Sequence, residues 1–124
     1  MNRRTATIRV RRKHAAVAED MRTQFVDAWK TGRYQGEYFD FESPAALFRV
    51  LSPKRWELLE KLQMGAPMGV RALARAIERD VRRVHDDTQA LIEVGLVEKD
   101  STGKLFVPFE EIRAHFALRK QAAA

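Results

Sequence analysis

A chain of 124 residues is long enough for one domain with its own core and short for two of ordinary size. The absence of cysteine removes disulfides, thiolate metal sites and cysteine nucleophiles together, and it fits a cytoplasmic protein. No apolar run approaches the roughly 18 residues of a membrane span, and "MNRRTATIRV" has no long apolar core of the signal-peptide kind, so no membrane association is expected. The formal net charge of +6 is localised: Arg3, Arg4, Arg9, Arg11, Arg12 and Lys13 account for all of it, with no acid among residues 1–13, and the rest of the chain is balanced. Such an arm suits a polyanion; its plainer readings are a solubilising tail or a strand with one arginine-rich face.

In chain order, "TATIRVRR" alternates, with Ile8 and Val10 on one side and Thr7, Arg9 and Arg11 on the other, which predicts a strand. Over residues 15–31 the period becomes helical: Val17, Met21, Phe25 and Trp29 form one stripe, expected to serve a dimer or partner contact. Gly32 and Gly36 punctuate, and "YFDF" is a short strand. Tyr34, Tyr38, Phe39 and Phe41 invite a base-stacking reading, against which stands the commoner one of core and cover residues. Ser43-Pro44 and Ser52-Pro53 are N-caps with proline at the first helical position, where a missing N–H costs nothing. The second of these helices buries Trp56, Leu59 and Leu62, and "GAP" at 65–67 ends it. Val70, Leu73, Ala74 and Ile77 mark a short helix whose N-cap position holds Gly69 rather than a polar residue. Asp80 caps a helix over 81–94, stopped by Gly95 as a left-handed C′ residue. "LVEKD" and "KLFV" are strands joined by "STG". Residues 111–119 fit a strand by alternation and a helix by Phe109, Ile112 and Phe116; strand is the expectation.

On a wheel of the 81–94 helix, Val84, Thr88, Leu91 and Ile92 lie within roughly 80° of Val81. Arg82, Arg83, Asp86 and Gln89 fall on the other side. Helix, short helix, three-residue turn, capped helix, glycine and hairpin, in that order, spell an α+β fold: a winged helix-turn-helix over residues 43–120, with an N-terminal strand-helix extension over 1–42 and a C-terminal strand. In that fold Arg82, Arg83, Gln89 and Asp86 would read base edges, arginine at guanine and glutamine at adenine. Arg71, Arg75 and Arg79, with Thr102 and Lys104 on the hairpin, would meet phosphates. The competing view is a structural domain with ordinary surface arginines, in which Arg82 and Asp86 form an i, i+4 pair. His14, His85 and His115 have no metal-ligand spacing, and there is no phosphate loop, serine elbow or paired-carboxylate motif, so neither enzyme activity nor a cofactor is expected.

"FESPAALFRVLSPKRWELLEKLQ", "VRALARAIERDVRRVHDDTQALIEVGLVEKD" and "VPFEEIRAHFAL" together resemble prokaryotic winged helix-turn-helix transcriptional regulators of the MarR-like and ArsR-like kind. The resemblance covers residues 39–118 well and 5–38 in outline, and the run from Arg79 to Val97 is its most specific part. It implies a homodimer on operator DNA. Several such proteins resemble the antitoxin beside a TumE-type toxin, so the resemblance also implies an autorepressing antitoxin of a type II pair with a cognate toxin partner. The alternative is a stand-alone repressor without one.

Overall fold

The computed structural model describes residues 3–11 and 36–120, an α+β arrangement of four helices and two small sheets. In order these are β1 (Arg4–Val10), β2 (Glu37–Phe41), α1 (Pro44–Val50), α2 (Pro53–Met64), α3 (Val70–Ala76), α4 (Val81–Val94), β3 (Glu98–Lys99), β4 (Leu105–Phe106) and β5 (Phe109–His115). The expected helix carrying Val17, Met21, Phe25 and Trp29 lies outside the described residues.

The first sheet has the order β2-β1-β5, and both pairings are parallel. Parallel neighbours need long crossover connections. Residues 11–36 separate β1 from β2, and the four helices with the hairpin separate β2 from β5. Alternation in β1 sends Ala6 and Ile8, both 0% exposed, into the core and turns Thr7 and Arg9 to the opposite face. Ile8 sits between Phe39 and Ala114. β5 shifts register between Arg4 and Thr5, so Glu110 has no opposite number, and both Glu110 and Glu111 are exposed before Ile112 turns back toward the core. The C-terminal segment is therefore a strand, as its alternation predicts, but it ends at His115, and residues 116–119 of the expected strand lie past it.

The caps hold as the sequence predicts. Ser43 Oγ accepts from the Ala46 amide at 3.0 Å, Ser52 Oγ from Arg55 at 3.4 Å, and Asp80 Oδ2 from Arg83 at 3.1 Å. Gly69 caps α3 with no side-chain bond. The α3–α4 turn contains a feature the sequence does not announce. Glu78 takes φ 55°, the left-handed region, while its amide donates to the Arg75 carbonyl and the Arg79 amide to that of Ala74. This is a Schellman closure with glutamate where glycine is usual.

α4 ends in the same way on Gly95, at φ 104°, with the Leu96 amide bonded to the Leu91 carbonyl at 3.0 Å. A Cβ on Gly95 would stand 3.1 Å from Phe39 Cε1. Gly95→Ala thus meets both a strained dihedral and a crowded ring, and a loss of about 1–2 kcal/mol in urea unfolding is expected. An unchanged midpoint would show that this end of α4 relaxes freely.

The second sheet is the β3-β4 hairpin, extended by a two-bond bridge from Met68 to Leu105 at 3.1 and 2.8 Å. Met68 lies just ahead of α3, so the hairpin is tied to the helix pair at its start and, through α4, at its end. The core runs through all of these pieces: Leu47 and Leu51 of α1 and its C-cap, Leu58, Leu59 and Leu62 of α2, Leu73 of α3, Val84 and Leu91 of α4, then Leu96, Val97, Leu105 and Phe109. No helix among the described residues is long and apolar enough to cross a membrane.

Candidate nucleic-acid interface

α4 has the two faces expected of it. Val84, Thr88 and Leu91 are buried, and the Thr88 hydroxyl donates to the His85 carbonyl at 2.9 Å, which allows a polar residue among leucines. Val81, at the amino end, is 37% exposed and lies beyond the edge of the core the wheel assigned it to. Arg82 and Arg83 are exposed, and neither guanidinium makes an ion pair or hydrogen bond among the described residues. Asp86 is exposed and its carboxylate stands 3.7 Å from His85 Nδ1, not against Arg82. Gln89 is half-buried. On α3, Arg71 and Arg75 are exposed and unpaired among the described residues.

The arginines divide into two populations. Arg79, expected on phosphate, is instead part of the structure: its Nη2 donates to Asp87 Oδ2 at 2.7 Å, and its side chain is 14% exposed. The left-handed turn at Glu78 brings it there. Arg55, which sequence reading did not single out, meets the other oxygen of Asp87 at 3.0 Å and donates to the Val50 carbonyl at 2.7 Å. Asp87 therefore joins the start of α2, the α3–α4 turn and the middle of α4. Burial pushes its carboxyl up, but the hydrogen bonds and charges of Arg79 and Arg55 outweigh that and hold it below the usual carboxylate range. Arg79 Nη1 is buried without a partner, a further sign that this guanidinium is not aimed at a ligand in solvent.

The hairpin tip is organised by one carboxylate. Asp100 Oδ1 accepts from the Thr102 hydroxyl at 2.6 Å and from the amides of Thr102 and Lys104, each at 2.9 Å. The Thr102 hydroxyl bond comes first among the causes that hold the Asp100 carboxyl low. Thr102 thus spends its hydroxyl inside the turn, which corrects its expected phosphate role. Lys104 bonds there through its backbone only, and the residue is exposed.

Of the readings open for the basic arm, the strand is the one its described residues take. Its described part is the middle strand of a sheet. Arg4 forms a two-bonded pair with Glu37 at 2.9 and 2.7 Å, reaches Glu98 at 3.3 Å and lies over the Phe109 ring at 4.9 Å. Arg9 is paired with Asp40 at 2.9 and 3.1 Å and lies over Tyr38 at 4.0 Å. These are not free arms for a polyanion; Arg12 and Lys13 lie outside the described residues. Of the aromatic cluster, Phe39 and Phe41 pack against the core, Phe39 edge-on to Phe109 at 5.8 Å, while Tyr38 faces the other way under Arg9. Tyr34 lies outside the described residues.

Neither a curated protein nor a solved structure matches the chain. A match to the family HVO_A0114 spans residues 50–114, from the last turn of α1 to the end of β5 and so across every element of the candidate interface, and the chain belongs to that family.

Proposed function

We propose that this chain is a sequence-specific, double-stranded DNA-binding transcriptional regulator with a winged helix-turn-helix reading unit. In this reading α2, α3 and α4 are its three helices, the Met68 bridge with β3 and β4 its small sheet, and Asp100–Lys104 its wing. α4 lies in the major groove by its amino-terminal half, Arg82, Arg83 and Gln89 face base edges, and Arg71, Arg75 and Lys104 meet phosphates. Binding is as a homodimer on a pseudo-palindromic operator.

The observation that carries this reading is the partition of the arginines: Arg55 and Arg79 are neutralised by Asp87, whereas Arg71, Arg75, Arg82 and Arg83 are left uncompensated around one helix pair. Helix dipoles sharpen it. The first turns of α3 and α4 contain no acid and carry Arg71, Arg82 and Arg83, which is the wrong sign for helix stability at a positive end. A phosphate backbone laid against those turns reverses the sign. Antitoxin pairing with a toxin stands on the sequence resemblance alone, and pull-down after co-expression with the product of the adjacent gene tests it.

The direct test is fluorescence anisotropy on the DNA upstream of the gene and on random duplex, across a salt series. Tight binding to the upstream DNA with a steep salt dependence is expected. Arg75→Ala should weaken both duplexes alike and reduce the slope by about one phosphate contact. Equal, weak affinity of the unaltered protein for both duplexes at all salts would defeat the proposal.

A further inference from the structure

We infer that β5 is the dimer interface, pairing antiparallel with the β5 of a second copy so that the two three-stranded sheets join into one. This deepens the homodimer in the reading above, but it is argued from β5 itself.

β5 is an edge: β1 pairs with one side of it, and among the described residues no strand pairs with the other. In a strand the hydrogen-bonding groups of alternate residues point to opposite sides, so past the Phe109 and Glu110 carbonyls, which accept from the Gln63 amide, the outer edge presents N–H and C=O groups to a further strand. The charges along it are ordered, with Glu110 and Glu111 at the amino end and Arg113 and Arg119 toward the carboxyl end. A parallel mate would set like charges opposite one another, whereas an antiparallel mate sets acids against bases. The register follows from the same rule. A two-fold axis at Glu111 or at Arg113 would place that residue against its own copy. An axis at Ile112 sets Glu111 against Arg113 of the partner subunit, twice over. Within one copy these two side chains already form an ion pair while 49% and 71% exposed, so the pair changes partner without a buried charge being stranded.

The exposed apolar side chains point to the same mate. Phe48 (53% exposed) stacks edge-on against Phe116, just past the end of β5, and Leu118 (75% exposed) follows two residues on. At the other end, the Gln63 amide donates to the carbonyls of Phe109 and Glu110, and the next residue, Met64, is 87% exposed. An antiparallel pair brings the Phe48–Leu118 end of one copy to the Met64 end of the other, which covers three of the five large apolar side chains exposed among the described residues. The interface is self-complementary and closes after two copies, as a two-fold dimer must.

The chain has no cysteine, which allows a direct test on the full-length protein. Light scattering of the unaltered chain should give the mass of a dimer. Glu111→Arg and Arg113→Glu should each raise the dimer dissociation constant about tenfold, and the two together should restore it. Under mild oxidation Ile112→Cys should cross-link to its own copy, and Glu110→Cys, about 13 Å from its mate in this register, should not. Circular dichroism of each variant establishes that it is folded. A monomeric parent, or a dimer whose charge swap is not restored and whose Ile112→Cys form does not cross-link, overturns the inference. If the dimer behaves as described while upstream and random DNA bind alike, it is the regulator reading that fails.

Discussion

Asp87→Ala should cost about 3 kcal/mol of folding stability, since removing one member of a largely buried ion pair leaves the others uncompensated. At roughly 4 °C per kcal/mol for a chain of this size, the thermal midpoint should fall by about 12 °C. The reason is geometric: one carboxylate, 17% exposed, holds two guanidiniums from different parts of the chain at 3.0 and 2.7 Å. Losing it strands Arg55 and Arg79 together. The pH dependence has a definite sign. Because the folded carboxyl titrates below its ordinary range, its contribution is fully present above about pH 4, where the unfolded carboxyl is ionised. That contribution is lost as pH falls through the folded value. The deficit of Asp87→Ala relative to the parent should therefore be largest near neutral pH and shrink in acid. Urea melts at pH 7 and pH 3 check it; an equal deficit at both would mean that packing, not charge, is what Asp87 supplies.

The second large effect is on binding and should run opposite in sign on stability. Arg82→Ala with Arg83→Ala should cost about 2–6 kcal/mol of specific DNA affinity if each arginine is two-bonded to a guanine. That is roughly a thirtyfold to many-thousandfold loss on the operator, with a much smaller loss on random duplex. The free protein should be unharmed or firmer by a few tenths of a kcal/mol, because both cations sit at the positive end of α4 and neither has a partner among the described residues. Anisotropy and a thermal melt on the same sample read both quantities. A variant that loses stability together with binding would place these arginines among the structural ones, beside Arg55 and Arg79.

What was legible in the sequence was local. Ser43, Ser52, Asp80 and Gly95 announced helix ends because a cap is chemistry between residues three or four apart. Val84, Thr88 and Leu91 announced a buried face because periodicity is local too. The α+β class and the terminal strands followed from the same patterns. What failed depends on residues more than a helical turn apart. Arg4 reads as one of six cations in an arm until Glu37 and Glu98 are brought to it, the latter across 94 positions. Arg79 reads as a phosphate contact until Glu78 enters the left-handed region and swings it onto Asp87. The Thr102 hydroxyl, by contrast, was claimed by Asp100 only two residues away, an Asx-type turn that the sequence did carry.

The placement of β1 between β2 and β5 also governs how the chain is made. One of the two neighbours of β1 is not synthesised until about 100 residues after it. At about 5–20 residues per second, the first strand waits on the order of 5–20 s with one flank unsatisfied and Ala6 and Ile8 uncovered. Its pairing is among the most non-local in the molecule, and such contacts close slowly. The helices and hairpin between them can pack before β5 is made or paired, since their contacts, such as the Met68–Leu105 bridge, are closer in sequence than those of β1 with β5. A nascent chain stalled before residue 109 would thus display an apolar strand with an open flank, a template for aggregation that the finished molecule conceals at its centre.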